Sequence, residues 1–471
     1  MAPIVSEATL GTGGRSGWLI RWASGACLAA LTAVVGALGS VSAAGAAPGD
    51  LARSFAHNGA LTIRAFDCSA SSIDAVLPQP RGRILGIGST VVPNGPGCDP
   101  DTGALRTDLM AARLNRKGSL DPSFGSGGVF TADLGLGAAG VGVVDPPFPR
   151  AARAPHGKVV VAFGDRLARL LPDGGLDPSF GSNGSVTLPP GEAQGVAVTS
   201  AGRPIVAEAL NPDASSFAVI RYLPDGSPDP SFGTGGTAVA HFGRADRAAA
   251  IAVDGGGRVV VAGSVRSGPA GARSAEKLAV LRLTARGKPD RAFGGDGLTT
   301  ARFSRNAFAN ALALLPSGKV LAVGRRERLA PKKPPVWALA RFRADGGADR
   351  SFSGNGVRTT EFGRVFTDDE QQPVAVAVEG DGRGIVAGIP AVTTSAGAGI
   401  GLARYLPGGG LDRSFGNGGK RWTGTRATGF ACEDPRALSL LPDRRLAVGG
   451  VDACEEEDTP APLATLAVYR R

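Results

Sequence analysis

LDPSFGSNG, at residues 176–184, recurs in recognisable form along nearly the whole chain. The other copies are LARSFAHNG (51–59), LDPSFGSGG (120–128), PDPSFGTGG (228–236), PDRAFGGDG (289–297), ADRSFSGNG (348–356) and LDRSFGNGG (411–419). Their phenylalanines, Phe55, Phe124, Phe180, Phe232, Phe293, Phe352 and Phe415, are separated by 69, 56, 52, 61, 59 and 63 residues, a mean of 60. Self-similarity at a period of this size marks a repeat architecture, in which each unit is one supersecondary motif stacked on its neighbours. At 471 residues the chain exceeds what one hydrophobic core ordinarily organises, and repetition meets that limit.

Each copy reads as a turn. The aspartate found in six of them (Asp121, Asp177, Asp229, Asp290, Asp349, Asp412) can accept hydrogen bonds from backbone amides just downstream, and the glycines supply backbone angles closed to other residues. The phenylalanine is the one large apolar group in a small, polar loop, so it is expected to plug between neighbouring units. A residue repeated in nearly every unit serves the unit, and both residues are read as structural.

Between copies lie four short apolar stretches per unit. In the fourth unit they are AAAIAVD (248–254), RVVVAGS (258–264), LAVLRLT (278–284) and, after the motif, LTTARF (298–303). These have the length and composition of strands, punctuated by turn sequences such as DGGG and ARGK. Four antiparallel strands repeated radially make a β-propeller blade, so the expected fold is an all-β, seven-bladed propeller. The SFG core and the 60-residue spacing resemble the delta-60 repeat family of secreted and surface bacterial proteins, over residues 51–471. The resemblance implies a β-propeller and brings no catalytic residues with it. The first copy departs from the pattern, with Ala52 for Asp and Ala56 for Gly, as suits a terminal repeat.

The small residues of the AxAxAV stretches fit a crowded inner strand, and the Thr- and Arg-bearing stretches fit an exposed outer one. The order from the axis outward is therefore AxAxAV, IVVAG, LARY, TTxF. The ordered chain begins with an outer-type strand, ALTIRAF (60–66), and ends with a third-type strand, ATLAVYR (464–470). The seventh blade is then expected to take three strands from residues 436–470 and its fourth from the N-terminal stretch, hiding two sheet edges that would invite aggregation.

Residues 1–46 read as a secretory signal: Arg15 and Arg21 precede an apolar run, and Ala44-Gly45-Ala46 offers small residues for cleavage before Ala47. The expected protein is a single propeller over 47–471, secreted or held at the cell surface, monomeric, with no stable membrane span once the signal is removed. The full chain carries 51 Lys and Arg against 41 Asp and Glu, a net +10; without the signal the balance is 49 against 40, or +9. That basicity is scattered through every unit and forms no stripe with interleaved aromatics, so nucleic acid is not an expected partner.

Strand parity places loops. Cys68 and Cys432 each precede an inner strand, while Cys98 and Cys454 each follow a second strand, so all four share one face, two in each terminal blade. Of three possible connectivities the expected disulfides are Cys68–Cys98 and Cys432–Cys454, in keeping with an exported protein. The same face collects Asp368, Asp369, Glu433, Asp434, Glu455, Glu456, Glu457 and Asp458, an acidic patch that could hold calcium or a cationic group; the alternative is a set of solvated loop charges. No other cofactor is expected. The three histidines, His57, His156 and His241, have no visible partners, and no nucleophile elbow, P-loop or dinucleotide fingerprint occurs in its proper context. The expected function is non-catalytic: a binding or scaffold propeller for an extracellular polymer, glycan or protein. The alternative is an extracellular hydrolase or lyase with carboxylates at the axial mouth, disfavoured by inner strands made mostly of Ala, Val, Leu and Ile.

Overall fold

The computed structural model describes residues 47–471 apart from 64, 66–69, 94–104, 137, 140–147, 210–216, 241–244, 267–275, 328–334, 363–371, 391–398, 424–432 and 453–462. Seven antiparallel sheets follow one another along the chain, six of them of four strands and one enlarged to six. Blade three is representative: Glu192–Val198, Pro204–Ala209, Phe217–Arg221 and Thr237–Ala240 pair in that order. The first strands of successive blades touch one another in a closed ring, the last (Glu433–Leu440) meeting the first (Ala75–Pro78). Inner-to-outer order is thus the order in sequence.

Closure occurs in blade seven. Ala60–Ile63 pairs with the C-terminal strand Leu463–Arg470, which pairs in turn with Arg445–Asp452 and then Glu433–Leu440. The N-terminal strand covers Ala60–Ile63; Arg64 and Phe66, the rest of the apolar stretch read from sequence apart from Ala65, lie outside the described residues. Blade one is the irregular one: its second strand, Ile84–Pro93, pairs with both Ala70–Ser71 and Ala75–Pro78, and Ala138–Ala139 adds to its third strand.

Second strands such as Val159–Phe163 and Gly384–Ile389 are apolar at consecutive positions because a neighbouring blade covers each sheet face; VVVAF is buried at every residue. Alternation, the signature of a half-exposed strand, has no place there. The seven motif phenylalanines are all buried between blades. Each motif also donates one backbone bond to the turn of the next blade: Gly125 N to Asp173 O, Gly181 N to Asp225 O, and so on round to Gly416 N on Pro48 O and Ala56 N on Lys117 O, at 2.7–2.9 Å. The last two join blade six to seven and seven to one, sealing the ring.

Candidate functional site

The end of the axis where the first strands begin is built by a repeated irregularity. In blades three to seven the first strand carries a one-residue bulge, between Ala193 and Gly195, Ala248 and Ala250, Ala309 and Ala311, Pro373 and Ala375, and Pro435 and Ala437. Blade one has the same extra residue, since Ser71 opposes Thr90 while Ala75 opposes Ile87. A bulge turns its residue out of the pleat and re-aims the side chain. The bulged residues are Asp74, Gln194, Ala249, Asn310, Val374 and Arg436, four of them polar.

These side chains reach across blade boundaries. Arg436 of blade seven places Nη1 3.0 Å from Asp74 Oδ1 of blade one and Nε 3.4 Å from Asp434 Oδ2. Its guanidinium lies over the ring of Phe148, which leads into blade two, at 4.2 Å from the centroid. Asn310 Nδ2 donates to Pro373 O of blade six at 2.9 Å and approaches Gln372 Oε1 at 3.5 Å. The Asp74 carboxylate has no exposed side-chain surface, and its second oxygen accepts from Ser72 Oγ at 2.5 Å. Both oxygens are therefore committed to donors, and the carboxylate fixes Arg436 against Phe148 instead of presenting a free base. The mouth offers planar amides, a stacked guanidinium and an aromatic face, groups that suit a polar, neutral or partly anionic ligand.

Of the acidic residues singled out from sequence, Asp368, Asp369, Glu455, Glu456, Glu457 and Asp458 lie outside the described residues, as do Cys68, Cys98, Cys432, Cys454 and His241. Glu433 belongs to the first strand of blade seven through its backbone. Asp434 is the one member placed in the site, beside Arg436. His57 sits in the first motif and His156 in a turn at φ 59°. Among the described residues no group of three or more His, Cys, Asp or Glu side chains is arranged to hold a metal. Sequence reasoning missed the polar ring because a bulge leaves no periodic trace. Its signal is positional: in six blades the polar or variable residue directly precedes the small residue that opens the inner alternating run, as in Asp74-Ala75, Gln194-Gly195, Asn310-Ala311 and Arg436-Ala437.

On the opposite face each motif aspartate anchors an arginine eight residues upstream, a partner that the reading of the motif alone had overlooked. Arg113, Arg169, Arg221, Arg282, Arg341 and Arg404 place Nε 2.6–2.9 Å from Asp121, Asp177, Asp229, Asp290, Asp349 and Asp412. Each guanidinium covers its blade's phenylalanine at 4.5–4.9 Å. Five also donate to a carbonyl of the next blade: Pro172, Pro224, Ala285, Ala344 and Pro407. Burial alone would raise the aspartate pKa values, yet hydrogen bonds from Ser351 and Lys319 and the Arg341 charge bring Asp349 down to about 2, and Lys158, Ser179 and Arg169 hold Asp177 well below the ordinary range. In blade seven both partners disappear together. Val468 occupies the arginine position and Ala52 the aspartate position, joined by the same backbone bond, Ala52 N to Val468 O at 2.8 Å, that links Asp412 N to Arg404 O. A buried ion pair is retained or lost as a unit because one member alone would leave a buried charge uncompensated.

Blade three holds one buried carboxyl outside this scheme. Glu208 has no exposed surface, neither oxygen has a hydrogen-bond partner among the described residues, and burial pushes its pKa up to about 7. It opposes the residue before the bulge, Ala193. The same place in five other blades is glycine (Gly88, Gly263, Gly324, Gly388, Gly450), and at Gly324 an added Cβ would fall 1.7 Å from the Phe308 carbonyl oxygen.

Ring, blade order and closure define a seven-bladed β-propeller. A family model described as a β-propeller domain of unknown function (DUF5122) matches residues 157–180 and 213–232, parts of blades two and three. No curated protein matches the chain. Among solved structures, a protein of unknown function from Dyadobacter fermentans is similar at 11% identity over 88% of this chain and 98% of its own, with a TM-score of 0.41. The polysaccharide lyase Uly1 is similar at 10% identity over 85% and 90%, TM-score 0.46. The NanB sialidase of Streptococcus pneumoniae is similar at 10% identity over 87% and 70%, TM-score 0.39.

Proposed function

We propose that the protein is a non-catalytic binding propeller, acting outside the cell, that takes an extracellular polymer or glycan at its axial mouth. The observation that carries this reading is Arg436, held by Asp74 and stacked on Phe148, in a ring of first-strand bulges that also carries Gln194 and Asn310, the latter beside Gln372. Amide and guanidinium donors beside an aromatic face match the hydroxyls and apolar ring faces of a sugar. The Asp74 carboxylate is saturated by Ser72 and Arg436, which suits holding a ligand better than moving a proton. Export is supported by the apolar, arginine-led segment before Ala47.

The test is a binding screen of the mature protein against glycans and wall polymers, with and without calcium because of the acidic loop residues. A ligand that binds the wild type should bind about tenfold or more weakly to Arg436→Gln and to Phe148→Ala, each of which removes one desolvated contact. Binding untouched by both variants would move the site away from the mouth. Degradation of any polymer in the screen would replace the binding reading with an enzymatic one.

A further inference from the structure

The repeats themselves show what one unsatisfied arginine is shaped to hold. In blades four and six the second residue of the outer strand bonds the tight turn that precedes the motif of the next blade. Thr299 Oγ1 donates to Gly346 O of that turn at 2.7 Å, and Arg421 Nη1 pairs with Asp50 Oδ1 of it at 3.1 Å. Arg358 is the same residue in blade five: it opposes Leu339 as Arg421 opposes Leu402. The position matching Asp50 in the turn Arg358 faces is Gly410, because Leu406 N bonds Gly410 O just as Arg470 N bonds Asp50 O, both at 2.8 Å. The carboxylate present at one blade boundary is thus missing at the one before it.

Among the described residues no hydrogen bond or ion pair reaches the Arg358 guanidinium, and its Nε is buried without an acceptor. Ser353 Oγ is likewise buried and unpartnered. Both line an open cleft of about 310 Å³ at the rim, walled by Phe303 and rimmed by Asn355 and Thr359. A guanidinium nitrogen and a hydroxyl left without acceptors each carry a desolvation penalty, and the Arg358 charge, with no ion pair among the described residues, stands beside the cleft where an incoming anion would neutralise it. Carboxylate is the anion whose two oxygens match the guanidinium fork, and the Arg421–Asp50 pair is that contact made within the chain. We infer that this cleft is a binding site, separate from the axial mouth, for one carboxylate group of a small molecule or acidic polymer, with Arg358 as the charged donor and Ser353 as the second.

The test is calorimetric titration of the mature protein with sodium acetate and sodium glucuronate, against glucose and sodium chloride at matched ionic strength. Saturable one-site binding of the acids and none of the controls is expected; a glucuronate preference over acetate assigns a sugar acid, equal affinities assign the carboxylate alone. Arg358→Gln should weaken binding about tenfold or more. Gly410→Asp supplies the missing carboxylate from within: Gly410 has no positive φ and nothing within 4 Å of an added Cβ. This variant should abolish acid binding and raise the melting temperature, and adding Arg358→Gln to it should remove that rise. Absence of saturable heat, an Arg358→Gln variant that binds the acids with wild-type affinity, or a Gly410→Asp variant that binds acids as the wild type does would each overturn the assignment.

Discussion

Glu208 provides the most direct quantitative check on the packing of blade three. Its carboxyl is buried, has no hydrogen-bond partner among the described residues and keeps its proton up to about pH 7 in the folded chain, against an ordinary value of 4.5. Below pH 4.5 the group is protonated in both states and has no effect. Between 4.5 and 7 the unfolded chain releases the proton and the folded chain does not, so stability falls as pH rises; above 7 the deficit is constant. A shift of this size corresponds to about 3 kcal/mol. Glu208→Gln keeps the shape and removes the titration. Urea denaturation at pH 5 and pH 8 should show the wild type losing about 2.5 kcal/mol relative to the variant over that interval, the rest of the deficit being present already at pH 5; comparing the two at each pH cancels the three histidines. Equal pH dependence in both proteins would mean that the carboxyl is solvated or paired in solution, and the packing described for blade three would be wrong.

Other consequences follow from the blade network. Asp229→Ala should destabilise by about 3–5 kcal/mol by stranding Arg221, whereas the double variant Arg221→Val with Asp229→Ala, copying Val468 and Ala52, should recover much of that loss in a chemical melt. Asp349, depressed to about 2, contributes stability that is complete above pH 4 and lost as pH falls toward 2. Asp349→Asn should therefore flatten the acid limb of a stability–pH curve by about 2 kcal/mol. Removing residues 47–63 strips the fourth strand from blade seven and bares the edge of Leu463–Arg470; the truncated chain should aggregate or associate, as read by light scattering.

Much of the architecture is written in the primary structure because a repeat states its rule many times. The motif spacing, the four apolar stretches per unit and the order from small-residue inner strand to Thr-bearing outer strand specify seven blades, and the outer-type strand near the start with a third-type strand at the end specifies how they close. The arginine eight residues before each aspartate was equally visible, but it stands in an apolar strand and its partner stands in a turn, so only folding shows that the two neutralise each other over a phenylalanine.

What the sequence by itself determined is therefore everything local and periodic: strand, turn, blade and ring. What only the tertiary structure decided is where single side chains from different blades converge, as Asp74, Phe148 and Arg436 do across as many as 362 residues of chain. The physical reason is that a bulge adds one residue without altering composition, and a missing carboxylate at Gly410 becomes meaningful only when an arginine 52 residues earlier, Arg358, is seen beside the turn that lacks it.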